Sequence, residues 1–220
     1  MLSKTFGSAV YGIDATTITV EVNILQGTKF FMVGLPDNAV KESQQRVESS
    51  IKHVGFHMPR QKVVVNLAPA DIRKEGSSYD LPIGLCILKA SGQIDAPDLE
   101  QYVIMGELSL DGIVRPIKGA LPIAIEARKQ GFKGFILPKE NATEAAIVNN
   151  IDIIGVERLD EAIDFFEGKS SLKPIKVDTR EIFYHEQNEF EMDFADVQGQ
   201  ENIKRALEIA AAGGHNIIMI

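Results

Sequence analysis

The chain has 220 residues, enough for one or two domains, and 31 acidic against 23 basic side chains give it a formal net charge of −8. That balance excludes a protein drawn to nucleic acid by its bulk charge; any such contact has to be a local patch. A lone cysteine, Cys86, excludes an intrachain disulfide and fits a reducing, cytoplasmic setting. Residues 1–7 lack the apolar stretch of a secretion signal, and no run approaches the roughly 20 apolar residues of a membrane span, so no membrane partner is expected.

Ile18, Val20, Val22 and Ile24 alternate with Thr19, Glu21 and Asn23, which predicts a strand with one buried face. Residues 8–11 and 29–33 read as its partners, with Gly12 and Gly27 near the turns, so the first third reads as an antiparallel meander. Pro36 and Asp37 open a helix to about residue 54. Val40, Val47, Ile51 and Val54 form its apolar stripe, and Lys41, Glu42, Gln45, Arg46 and Glu48 form its wet face. Residues 63–67 are a strand expected to be buried on both faces. The helix from residue 80 to 90 is apolar on most sides and therefore central, with Asp80 or Ser78 as its cap. Gly84 within it would let another backbone approach, and Cys86 reads as a small core residue.

Asp111-Gly112 signals a two-residue hairpin between strands at 103–110 and 113–115. Helices near 119–130, 141–149 and 159–166 then alternate with strands at 135–137 and 151–156, the pattern of parallel pairing with crossover helices. From 168 to 193 the pattern fails and the composition turns polar, as in a linker or a loose strap. Order returns with a helix at 200–212, ended by Gly213-Gly214, and a buried strand beginning at Ile217. The fold class is α/β, divided into a first domain at 1–168, a linker at 169–193 and a further element pair at 194–220.

The turn Lys74-Glu75-Gly76-Ser77-Ser78 joins the most apolar strand to the most apolar helix, so this polar loop has to reach the surface or a site. Ser78 is a possible nucleophile, but a serine needs a base within hydrogen-bond reach, and none of the four histidines is near it in sequence. A cap or turn role is its plainer reading. One cysteine and scattered histidines offer no metal spacing. Neither G-x-x-x-x-G-K-[ST] nor G-x-G-x-x-G occurs. Basic residues gather at turns: Arg60 with Lys62, Arg73 with Lys74, and Arg115 with Lys118. If their segments adjoin, Arg73, Lys74, Arg115 and Lys118 form a positive patch suited to phosphate or an acidic partner.

The 74–78 run resembles the lysine-acid-glycine-x-serine segment of the Lon protease domain, in which the serine is the nucleophile. The hairpin and helix start Gly112-Ile113-Val114-Arg115-Pro116-Ile117-Lys118-Gly119-Ala120 resembles the piece that precedes Lon's catalytic lysine. Leu121 stands at that lysine's position, and Lys118 lies about a helical turn away. The resemblance therefore implies the Lon-like fold, a mixed sheet with helices of the ribosomal S5 second-domain type, without the catalytic dyad. At the other end, Asp193-Phe194-Ala195-Asp196-Val197-Gln198-Gly199-Gln200, a helix and Gly213-Gly214-His215-Asn216 are similar to the opening of an AAA+ ATPase module. There the turn containing Val197 and Gly199 borders the adenine, and the phosphate-binding loop follows the next strand.

Together with Asn66-Leu67-Ala68-Pro69-Ala70-Asp71, Asp80-Leu81-Pro82-Ile83 and Gly106-Glu107-Leu108, these runs resemble the ComM/YifB family of Mg-chelatase-like AAA+ proteins along essentially the whole chain. The resemblance implies a cytoplasmic ATP- and Mg2+-dependent motor that forms a ring, a hexamer, and acts on DNA in branch migration. This segment would be a non-catalytic scaffold or contact domain within it. Alternatives are a Lon-like peptidase using Ser78, a magnesium-chelatase subunit, or a standalone interaction domain.

Overall fold

The computed structural model describes residues 1–177 and 193–218. The chain divides into two compact units, Met1–Val177 and Asp178–Ile220. The first is a mixed α/β unit. Strands β1 (Leu2–Tyr11) and β2 (Asp14–Leu25) form a long antiparallel pair that turns at Gly12, where φ is +62°. Strand β3 (Phe30–Val33) does not complete a meander. Helix α1 (Asn38–His53) carries the chain back, and β4 (Lys62–Ala68) inserts between β3 and β2, parallel to the first and antiparallel to the second. A helix of this length can return the chain to the same end of the sheet, which a tight turn cannot.

Helix α2 (Asp80–Ala90) is buried at every residue except Lys89, as its all-round apolar pattern requires. A short 3-10 turn (Pro97–Gln101) leads into β5 (Tyr102–Ile104). A small hairpin follows, β6 (Glu107–Leu108) and β7 (Val114–Arg115), then α3 (Ala120–Lys129), β8 (Gly134–Pro138), α4 (Lys139–Ala145), β9 (Asp152–Val156) and α5 (Leu159–Phe166). The main sheet runs β3-β4-β2-β1-β5-β8-β9, and the pairs from β1·β5 onward are parallel. The predicted alternation in the second half is thus found. The hairpin is not a two-residue turn. Glu107 pairs with Arg115 and Leu108 with Val114, leaving a five-residue loop, 109–113, in which Ser109 bonds both the N–H and the carbonyl of Ile113.

Four further expectations change. Strand β4 buries only Val63, Val65 and Leu67; Lys62, Val64 and Asn66 turn to a half-open second face. Neither Asp80 nor Ser78 caps α2, whose N-cap is Tyr79 without a side-chain bond. Arg46 is not on a wet face, because it reaches Asp80 (below). Residues 169–177 belong to the first unit. Leu172, Ile175 and Val177 pack against its core, and the Ile175 N–H bonds to the Ile153 carbonyl at 2.9 Å.

In the second unit a 3-10 turn (Phe194–Asp196) with a reciprocal capping box from Asp193 and Asp196 precedes α6 (Glu201–Gly213), which ends at Gly214 with φ +62°. Ile217 and Ile218 are exposed and carry no strand, since no partner strand stands beside them among the described residues; Met219 and Ile220 lie outside those residues.

Candidate functional site

The predicted loop lies on a cleft of about 570 Å³ between the end of β1, the α2 approach and the end of the small hairpin. Ser78, Ser77, Arg73, Glu107 and Lys118 are among its lining residues. The loop is held from several sides. Asp37 caps α1 through Oδ1, which accepts from the Val40 N–H at 2.7 Å, while its Oδ2 accepts from the Gly76 N–H at 3.1 Å. Backbone bonds join Asp37 N–H to the Lys74 carbonyl (3.0 Å) and Lys74 N–H to the Leu35 carbonyl (3.2 Å). The Tyr11 hydroxyl donates to the Arg73 carbonyl at 2.6 Å, and the Gly106 N–H to the Ser78 carbonyl at 2.8 Å. A loop tied at so many backbone positions presents its side chains rigidly.

Those side chains place no base beside the Ser78 hydroxyl among the described residues. Ser77, not Ser78, makes the carboxylate contact, donating to Glu107. Ser78 is half-buried, and among the described residues its hydroxyl has no hydrogen-bond partner. No histidine lines the cleft. At the position where the resemblance expects a lysine, the side chain of Leu121 packs partly against the core, and its N–H donates to Glu144 at 3.1 Å. Lys118 shares the cleft as an exposed cation.

The four predicted basic residues do not make one patch. Lys74 is fully buried: its ammonium donates to the Pro69 carbonyl, and burial lowers its pKa against the pull of Asp71. Arg73 lines the cleft but is paired with Glu75 at 3.2 Å. Arg115 is exposed on β7, across the register from Glu107 and outside the cleft. Lysine at 74 reads as a surface residue in sequence because spacing alone does not show that the fold buries it, with its N–H bonded to the Leu35 carbonyl of a distant segment.

Beneath the cleft lies an ion pair that sequence reasoning missed. Arg46 grips Asp80 with two bonds, Nε to Oδ2 at 2.6 Å and Nη2 to Oδ1 at 3.0 Å, and the Leu108 N–H adds a third to Oδ2 at 3.2 Å. Asp80 is fully buried, and burial pushes its carboxyl up to about 6, with Arg46 opposing the rise. The Arg46 guanidinium is in turn held charged by the Asp80 carboxylate. The pair ties α1, α2 and β6 together below the loop. Cys86 is inert in the core, its thiol pushed up to about 12 by burial and donating weakly to Ser3 and the Val20 carbonyl.

In the second unit Val197 is 44 % exposed and Gly199 has φ +72°, so the predicted adenine-side turn presents an open apolar residue and a backbone bend. Residues 193–218 contain no lysine–hydroxyl pair in phosphate-loop spacing. Among the described residues no group of three or more His, Cys, Asp or Glu side chains could hold a metal, and no helix is long and apolar enough to cross a membrane.

This mixed α/β unit with a short helical unit after it matches a known class. Residues 20–141 match the family model for subunit ChlI of Mg-chelatase, and residues 193–220 match that for magnesium chelatase, subunit ChlI. The whole chain is 42 % identical to the uncharacterized protein YifB of Escherichia coli and 37 % identical to the competence protein ComM of Haemophilus influenzae, covering 42 % and 43 % of those proteins. A shorter match, 31 % identical over 53 % of the chain, is to the DNA repair protein RadA of Escherichia coli, of which it covers 24 %. The chain belongs to the Mg-chelatase-like ComM/YifB family. It spans about two fifths of the length of the curated relatives it matches end to end.

Proposed function

We propose that the chain is the front part of an AAA+ ATPase tied to competence and DNA recombination, a ring-forming motor that moves DNA at the cost of ATP. The observation that carries this reading is the similarity to ComM along the entire chain; the shorter similarity to a DNA repair protein points the same way. In this reading the first unit is a Lon-protease-like domain of the ribosomal S5 second-domain type that no longer cuts peptides. The cleft at Ser78 supports this, since it keeps the loop and hairpin of such a site while Leu121 occupies the lysine position. Residues 178–193 then connect it to the start of the AAA+ module at 194–220, whose Val197 and Gly199 border the adenine. ATP and Mg2+ then serve the intact protein, not this segment. The segment contributes ring contacts and DNA contacts, and Arg115 and Lys118 are the members of the predicted basic set that stand exposed without a paired carboxylate among the described residues.

Mg2+-dependent ATP hydrolysis by the intact protein, with and without DNA, combined with its mass in solution, tests the proposal. DNA-stimulated turnover by a hexamer is the expected result. A monomer without ATPase activity overturns it. Labelling of Ser78 by a serine-reactive fluorophosphonate would instead favour the peptidase alternative.

A further inference from the structure

The main sheet has two unlike faces. One carries Ser3 and Thr5 of β1, Val20 and Val22 of β2 and Val63 and Val65 of β4, and is buried under α2. The opposite face carries the alternate residues. Helix α3 packs on β1 and β2, its start at Gly119 lying against Val10, yet the corner toward β3 stays open. Leu2 is 63 % exposed, Phe31 43 % and Val33 48 % on this corner.

The open corner is also cationic. The Lys62 ammonium lies 4.9 Å from the centre of the Phe31 ring, and the Lys4 ammonium 4.9 Å from that of Phe6, which Phe132 braces from its edge. Lys29 stands beside Lys62, since its carbonyl accepts from the N–H of Val63, and Arg60 is two residues away along the chain. Residues 22–36 and 60–70, which carry the end of β2, β3 and β4 at this corner, contain no aspartate or glutamate in a chain of net charge −8. On the open face of these four strands the register places one carboxylate, Glu21, and it accepts from Asn66 Nδ2 at 2.8 Å. Lys29, Arg60 and Lys62 have no carboxylate within ion-pair distance among the described residues.

We propose that this open face of β3, β4, β2 and β1 is a platform for single-stranded nucleic acid. The inference rests on the reading that the intact protein works on DNA, and it places the contact away from the Ser78 cleft. An exposed aromatic ring on a sheet takes an unstacked base, and flanking lysines take the phosphates that follow. A duplex offers this face only its phosphates, because its bases are already stacked, so the exposed Phe31 ring selects the single strand.

The test is binding of labelled oligothymidylate and of a matched duplex to the intact protein across a salt series. Lys29→Glu with Lys62→Glu is expected to weaken single-strand binding at least about tenfold and to flatten the log–log salt slope by about 1.4, two phosphates' worth. Phe31→Ala is expected to weaken single-strand binding about tenfold, by loss of stacking, and to leave duplex binding nearly unchanged. Lys29 is exposed, so Lys29→Glu alone guards against a folding defect from Lys62. Unchanged single-strand binding in these variants, or loss only in Arg115→Glu with Lys118→Glu, overturns the platform while the motor reading stands. Equal loss on duplex and single strand in Phe31→Ala overturns the single-strand assignment. A changed assembly mass in Phe31→Ala with intact DNA binding makes the face a self-association surface and overturns it too. Absence of any DNA binding by the unaltered protein removes both the platform and the motor reading.

Discussion

Asp80 shows how one residue reports on several elements. Its carboxylate is buried, gripped by Arg46 from α1 and bonded by the Leu108 N–H from β6. Removing one partner of such a pair leaves a buried charge without compensation. Arg46→Met, which leaves the Asp80 carboxylate buried without its partner, is therefore expected to lower stability at pH 7 by about 3 kcal/mol, read as a shift in the urea midpoint. The pH dependence has a definite sign. Burial raises the native carboxyl to about 6, above its unfolded value, so between about pH 4 and 6 the native state holds the extra proton. The stability that Asp80 contributes is then greatest on the acid side and falls as pH rises through 6. The margin of the unaltered protein over Asp80→Asn should shrink from pH 4 to pH 7, and a growing margin would contradict the assignment. Ser78 gives the opposite lesson. Its place on the cleft is as the sequence suggests, but its neighbours are Ser77, Glu107 and Lys118 with no histidine. Treatment with a fluorophosphonate, followed by mass spectrometry, should leave Ser78 unmodified.

Two glycines separate what elements tolerate from what they require. Gly34, just after β3, has φ +99°, and a Cβ there would stand 2.0 Å from the Leu67 carbonyl oxygen of β4. Gly34→Ala meets both a left-handed backbone and a backbone atom that cannot move aside. It should cost more than about 3 kcal/mol or block folding, seen as loss of the cooperative thermal transition. Gly84 in α2 reads in sequence as a point of close backbone approach. In the structure an added Cβ would meet Val47 Cγ1 at 3.6 Å and Leu108 Cδ1 at 3.7 Å, ordinary contacts. Gly84→Ala should raise stability by about 0.5–1 kcal/mol in the same melt, from helix propensity alone. Helices were the most legible elements: α2 and α5 fall where their apolar pattern puts them, because helical period is a property of neighbours three and four residues apart. Strand partners were less legible. Nothing local to residues 30–33 says that β4, about 30 residues on, will pair with them instead of β2.

At the scale of the molecule, the first unit includes the start of the predicted linker. Ile175 bonds to Ile153, and Leu172 and Val177 pack on the core. A fragment of residues 1–177 should accordingly unfold in one cooperative step. A fragment ending at 168 should melt several degrees lower, which differential scanning calorimetry can resolve. The sequence by itself determined the α/β class, the central helix, the parallel second half and the family, since each is carried by local period or by short runs of adjacent residues. Tertiary structure alone decided the rest. It buried Lys74, joined Arg46 to Asp80, and left Phe31, Lys29 and Lys62 together on an open sheet face. The physical reason is the same in each case: burial and charge pairing depend on which distant segments close over a side chain, and one-dimensional spacing does not record that.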